Sequence, residues 1–252
     1  MKLLVVSAVL ALLSVAAIFG DGGSTASASC NPNRPDDATT RLVGWYRTPG
    51  VAVGGVYANV KIYNPYIYPA SGPSQYENSI WTWVMLSDAA TANWAQIGYI
   101  KLQQNFTGFI QWTDTGHGLH TWWYGPPPND NPPTPGQYHY YTVLYGNYGP
   151  GYLTFYDGHN GVNYNKGIVA PEYSGGWQPT TAENQGETKS RASQMAGGLY
   201  NPVYFADSHI YYTGAWRAMD SLPTWYPIDG VNYYGATRLD AYRIKIWDKN
   251  CP

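Results

Sequence analysis

Proline and glycine recur throughout the chain after its first thirty residues, and this spacing leaves no room for long helices. The 252 residues include 28 glycines and 19 prolines. Proline breaks a helix interior and glycine weakens one, so the stretches between them are too short for ordinary helices. We also find no amphipathic segment with a 3.6-residue period. The pattern therefore predicts a chain built from short strands.

Alternating apolar and polar residues mark the strands directly. Val56, Ala58 and Val60 share one face of a predicted strand, and Tyr57 and Asn59 take the other. Residues 80–86 form a nearly continuous apolar run, typical of a strand buried on both faces. Further strands are predicted at 94–102, 108–113, 138–145, 152–156, 162–169, 180–188, 203–212 and 241–247, with a turn at 157–161. Many short strands at regular spacing predict an all-β fold.

The predicted architecture is a single antiparallel β-sandwich, resembling a concanavalin-like jelly roll, over residues 29–252. This length is within what one sandwich occupies. Residues 125–136 contain six prolines, which cannot enter a sheet interior. We interpret them as a stiff exposed loop between strands rather than a boundary between domains.

The amino terminus has the three parts of a secretory signal. Lys2 precedes an apolar run at residues 3–19, and small residues follow, ending in Ala26-Ser27-Ala28. A membrane anchor is the alternative, but the run barely reaches the ~17 to 25 residues that a spanning helix needs. We expect a signal peptide at 1–28, cleavage after Ala28, and a secreted or cell-surface protein that is not membrane-bound after cleavage.

The two cysteines, Cys30 and Cys251, stand at opposite ends of the predicted mature chain. In an oxidising compartment, two cysteines at these positions predict one disulfide bond. Two unrelated thiols are the alternative.

The composition excludes some classes of partner. The formal net charge is −2 and charged residues make up 12% of the chain, so there is no basic stripe for nucleic acid. The 25 tyrosines, together with Asn, Thr, Ser and Gly, must cover much of the surface. Such a surface suits contact with peptides, glycans or other copies of the chain; the oligomeric state is left open.

Common catalytic signatures are absent. The chain has no phosphate loop, no GxSxG nucleophile elbow and no HExxH zinc pattern. His117 and His120 lie three residues apart beside Asp114. No further strong metal ligand lies near these residues, so solvated histidines in a glycine-rich loop are the favoured interpretation. We predict neither a metal nor a cofactor.

Several segments together resemble the glutamic peptidases. They are residues 79–88 (SIWTWVMLSD), 94–99 (WAQIGY), 109–114 (FIQWTD), 182–187 (AENQGE) and 203–207 (VYFAD). The first two are similar to the AWVGIDG-like strand and the Gln-x-Gly strand of the eqolisin type. The third resembles the YWT-x-D segment of the neprosin relatives, and the fourth has the spacing of the eqolisin AE-x-x-x-E segment.

The resemblance implies a β-sandwich peptidase with Gln96 as catalytic glutamine and Glu187 as catalytic glutamate. Glu187 would act as general acid and base, and the amide of Gln96 would orient the water and stabilise the oxyanion. The chain departs from the family pattern in places. Met85-Leu86-Ser87 replaces Gly-Ile-Asp, residues 184–186 are not apolar, and neprosins have glutamate where Gln96 stands.

Other interpretations remain open beside this one. Gln96 can be an ordinary strand amide, and Glu187 a solvated residue paired with a nearby lysine or arginine. A glycan-binding module would use Trp122 and Trp123 as a stacking platform, with Trp83, Trp94 and Trp112 as further candidate binding residues. A structural surface or matrix protein is the third interpretation.

Overall fold

The computed structural model describes residues 30–69, 76, 78–88, 93–103, 105–114, 118–124, 133–159, 161–169, 177–195 and 197–251. The predicted signal peptide, His117 and most of the proline-rich loop lie outside these residues. Across the described ranges, no helix is both long and apolar enough to cross a membrane.

Fifteen strands and one short 3-10 helix, Ile228–Asn232, make up the regular structure of the described residues. In chain order the strands are β1 (Arg41–Arg47), β2 (Val53–Lys61), β3 (Ile80–Asp88), β4 (Asn93–Leu102), β5 (Asn105–Asp114), β6 (Gly118–Tyr124), β7 (Tyr138–Tyr145), β8 (Leu153–His159), β9 (Val162–Val169), β10 (Thr181–Thr188), β11 (Val203–Tyr212), β12 (Ala215–Ala218), β13 (Pro223–Tyr226), β14 (Tyr234–Asp240) and β15 (Arg243–Asp248).

The strands form two antiparallel sheets packed face to face. The first has the order β13-β1-β10-β3-β4-β5-β6, and the second has the order β14-β15-β11-β2-β7-β8-β9, with β12 paired to β11. The prediction of an all-β sandwich is confirmed.

The core lies between the two sheets because each contributes one apolar face. Val56, Ala58 and Val60 of β2 are fully buried there, as their alternation predicted. Ile97 and Val84 meet them from the first sheet.

Strand β3 is the centre of the first sheet, between β10 and β4. Its inward side chains join the core, whereas Trp81 and Trp83 project to the opposite face, which we call the outer face. There they form a second apolar cluster with Ile100 and Phe109. The prediction that this strand is buried on both faces is confirmed.

The two ends of the described chain are joined by a disulfide between Cys30 and Cys251, with a Cα to Cα distance of 5.6 Å. The predicted pairing is confirmed. Arg34, in the same amino-terminal segment, forms a buried ion pair with Asp248. Chain ends held in this way cannot fray independently of the sandwich.

Some elements differ from the prediction. The sequence pattern did not indicate β1, β6, β12, β13 or β14, and β8 continues through His159, where a turn was predicted to begin at Asp157. Strand β6 contains three consecutive aromatic residues, a run without alternation. It is a strand because it pairs along its whole length with β5.

Candidate active site

One row of paired residues crosses the outer face from β10 to β6. Glu183 pairs with Met85, Met85 with Gln96, Gln96 with Gln111, and Gln111 with Thr121. Directly paired residues of antiparallel strands project to the same face. We call these five residues the polar row.

Two residues of the polar row are buried although the row lies outside the core between the sheets. Gln96 is 6% exposed and Gln111 is 8% exposed. Trp83 and Phe109 belong to the neighbouring row on the same face, where Trp83 pairs with Gly98 and Gly98 with Phe109. Trp83 and Phe109 are themselves buried, so the outer face carries polar groups beside a packed aromatic cluster.

Hydrogen bonds connect the amides of the polar row. Gln96 Nε2 donates to Gln111 Oε1 at 2.7 Å, and Gln111 Nε2 donates to Thr121 Oγ1 at 2.9 Å. We call this chain of contacts the amide relay. It uses one N–H of the Gln96 amide and leaves the second N–H for another acceptor.

The carboxyl group of Glu183 is held by two donors on the same face. Ser87 Oγ donates to its Oε1 at 3.0 Å, and Gln185 Nε2 donates to its Oε2 at 2.6 Å. Burial raises the pKa of the Glu183 carboxyl above its ordinary value of 4.5, while the two hydrogen bonds act in the opposite direction. The carboxyl therefore keeps its proton to a higher pH than an ordinary glutamate.

Glu183 and Gln96 flank Met85 in neighbouring strands. Two interstrand spacings place their Cα atoms about 10 Å apart. Both side chains are long and project to one face, with Met85 between them. This arrangement has the components of acid-base catalysis beside an oxyanion donor.

The structure does not bring Gln96 and Glu187 together. Glu187 pairs with Trp81, four residues along β3 from Met85. That offset is about 13 Å along the strand and about 10 Å across it, or about 16 Å between the Cα atoms of Gln96 and Glu187. The Glu187 carboxylate instead forms an ion pair with Lys189 and accepts a hydrogen bond from the Trp83 indole at 3.3 Å.

The five candidate tryptophans divide between the two faces. Trp83 and Trp94 lie on the outer face with Gln96, as the alternation along β4 requires. Trp112 is buried in the core. Trp122 and Trp123 are adjacent in β6 and point to opposite faces: Trp122 contacts Trp112 with a ring separation of 5.0 Å, and Trp123 contacts Trp81 at 5.9 Å. These two residues do not form one flat platform.

Of the two histidines beside Asp114, the structure describes His120. The His120 ring stacks on Trp112 at 5.0 Å. His117 lies outside the described residues. Within the described part of the chain, no cluster of three His, Cys, Asp or Glu side chains is suited to hold a metal ion.

The sequence pattern missed several residues of this site: Ser87, Gln111, Thr121, Glu183 and Gln185. A signal for one was present, because the segment 182–187 contains two glutamates at the family spacing. Which of them meets Gln96 depends on the register between β10 and β3, and a register cannot be read from a single strand.

No protein-family model and no curated protein matches the chain. Solved structures do match. Scytalidoglutamic peptidase, in complex with a peptide-based transition-state analogue, is 13% identical with a TM-score of 0.57, covering 83% of this chain and 98% of that one. SCP-B, an eqolisin-family peptidase in complex with the tripeptide Ala-Ile-His, is 10% identical with a TM-score of 0.51, covering 85% and 100%. The chain has a glutamic peptidase-like fold, as the sequence resemblance implied.

Proposed function

We propose that this protein is a peptidase in which Glu183 is the general acid and base and Gln96 orients the water and stabilises the oxyanion. The observation that carries the proposal is the polar row, in which Glu183 and Gln96 lie on either side of Met85 on the outer face. The glutamic peptidase-like fold supports it.

The reaction follows from the two side chains. The Glu183 carboxylate takes a proton from a water molecule, whose oxygen attacks the carbonyl carbon of the peptide bond. The carbonyl oxygen becomes an oxyanion and accepts a hydrogen bond from the free N–H of Gln96. Glu183 then returns the proton to the leaving amine as the C–N bond breaks.

The environment of each group suits its role. An amide adds no second negative charge beside Glu183, so the carboxylate remains the single base in the polar row. The Cys30–Cys251 disulfide is typical of oxidising compartments, so we expect extracellular proteins or peptides as substrates.

Three variants test the assignment with an unfolded protein substrate at mildly acid pH. Glu183→Gln should abolish cleavage, because the amide cannot take a proton from water. Gln96→Ala should lose about 10² to 10³ in kcat, as removal of an oxyanion donor does in other hydrolases. Glu187→Gln is the matched control: it lies on the same strand and face, and we expect it to retain most activity.

The outcomes separate the alternatives. Loss of activity in Glu187→Gln with an active Glu183→Gln would reverse the roles of the two glutamates. Wild-type protein that cleaves nothing between pH 2 and pH 8 would exclude the peptidase proposal. Chelators should leave the activity unchanged.

A further inference from the structure

Met85 occupies the position between the two proposed catalytic groups. It pairs with Glu183 on one side and with Gln96 on the other, and its side chain projects to the same face. It also packs against the apolar cluster that contains Trp83. The family motif that this strand resembles has glycine here, so the thioether is a feature of this chain.

Met85 is also the most accessible methionine of the described residues. Met195 and Met219 are both 0% exposed, whereas Met85 is partly exposed. Small oxidants reach exposed thioethers first. Hydrogen peroxide should therefore react with Met85 well before the other two.

Oxidation would change the chemistry of the polar row. The sulfur gains one oxygen atom from hydrogen peroxide, the O–O bond breaks, and the peroxide is reduced to water. The product, a sulfoxide, is polar and carries an acceptor oxygen in place of an apolar surface. At Met85 this oxygen would lie within the row that holds Gln96 and Glu183, where the free N–H of Gln96 and the protonated carboxyl of Glu183 can donate to it.

We propose that Met85 is an oxidation-sensitive residue and that its sulfoxide inactivates the proposed site by competing with water and substrate for Gln96 and Glu183. The inhibition rests on the proposed peptidase function. The selective oxidation does not, because it depends on exposure alone.

The experiment treats the intact protein with hydrogen peroxide and follows each methionine by peptide mass mapping, with activity measured on the same samples. We expect Met85 to gain oxygen at least tenfold faster than Met195 and Met219. Activity should fall at least tenfold in step with Met85 oxidation and recover after treatment with methionine sulfoxide reductases of both stereospecificities.

Two variants identify the residue responsible. Met85→Leu should keep its own starting activity through the peroxide treatment, because it has no sulfur at this position. Met195→Leu should remain as sensitive as the wild type. If Met85→Leu folds poorly, the reductase recovery of wild-type protein still assigns the effect to methionine, and the mass map assigns the position.

Each other outcome overturns a stated part of the proposal. Equal oxidation of the three methionines would exclude selectivity. Complete Met85 oxidation with unchanged activity would exclude the inhibition. If untreated protein has no activity, the proposed function and the inhibition both fail, and the contact of the sulfoxide with Glu183 is tested by itself. A carbon NMR titration that shows no change in the pKa of the Glu183 carboxyl after Met85 oxidation would overturn that contact.

Discussion

The Gln96 side chain can present either end of its amide to a substrate, and the amide relay determines which end it presents. Gln111 Oε1 accepts from Gln96 Nε2, and Gln111 is itself oriented because its Nε2 donates to Thr121 Oγ1. With the Gln96 nitrogen held on the Gln111 side, the amide keeps one rotamer in the polar row. Gln111 is thus a positioning residue rather than a catalytic one.

Removing the relay should reduce kcat more than it changes KM. Gln111→Leu leaves the Gln96 amide unsupported, and we expect kcat to fall about 10- to 100-fold, the effect of a small misplacement of a catalytic group. Gln111→Glu keeps an acceptor for Gln96 and should restore most of kcat. Its added negative charge raises the pKa of Glu183, so the acid limb of the pH profile should move to higher pH. Equal losses for Leu and Glu at every pH would show that the role is only structural.

The raised pKa of Glu183 also predicts how stability depends on pH. Burial favours the protonated carboxyl in the folded state, so this group's contribution to stability is fully present below pH 4.5 and is lost as the pH rises through the folded-state pKa. In the Glu183→Gln variant, the side chain at position 183 carries no charge at any pH. The thermal midpoint of the variant minus that of the wild type should therefore increase from pH 3 to pH 7 in calorimetry; a decrease would contradict the raised pKa.

The sequence allowed Gln96 to be proposed because its strand can be aligned with a known Gln-x-Gly motif through Gln96 itself and Gly98. It did not distinguish Glu183 from Glu187, because both lie on one face of β10 and belong to the same motif. Their difference arises from contacts made by β3: Glu183 accepts a hydrogen bond from Ser87, and Glu187 accepts one from the Trp83 indole. Such long-range contacts are fixed only when the sheet has assembled.

At the level of the strands, glycine is required where two backbones approach closely. A Cβ added to Gly98 would overlap the carbonyl oxygen of Thr82 on β3, the strand next to β4. This contact lies one row from Gln96 and keeps β3 and β4 close beneath Trp83.

Gly98→Ala should therefore destabilise the protein by more than about 2 kcal/mol, since the two backbones would have to separate. Gly230→Ala is a suitable control because its new Cβ would lie 3.7 Å from the nearest atoms, an ordinary contact. Urea unfolding of both variants measures the difference. Equal stabilities would show that the strands can separate without cost.

Most of the strands could be predicted, but their order could not. Strands β7, β9 and β11 begin and end at the predicted residues because each has a clear alternation or a clear turn beside it. Strand β10 inserts between β1 and β3, which are distant from it along the chain. The pairing of such strands depends on the whole sandwich and leaves no local signal in the sequence.

For the molecule as a whole, the disulfide constrains almost the entire chain. Cys30 and Cys251 are separated by 221 residues. In the chain-entropy model, a disulfide that closes a loop of this size stabilises the folded state by up to about 5 kcal/mol, and measured stabilisations are often smaller. Replacing both cysteines by serine should lower the unfolding midpoint in urea while the circular dichroism of the folded protein stays that of a β protein. An unchanged midpoint would mean that contacts such as Arg34 with Asp248 already hold the ends together.

The same bond has a consequence for damage by other proteases. Because Cys30 and Cys251 enclose the strands, a single cut anywhere between them yields two pieces that remain covalently linked. The nicked molecule would migrate as one band on a gel without reductant and as two bands with it. The disulfide would then hold the two pieces at high effective concentration, so their strands could stay paired after the cut. In a setting rich in proteolytic activity, the ring closed by this bond would tolerate one scission without losing any fragment.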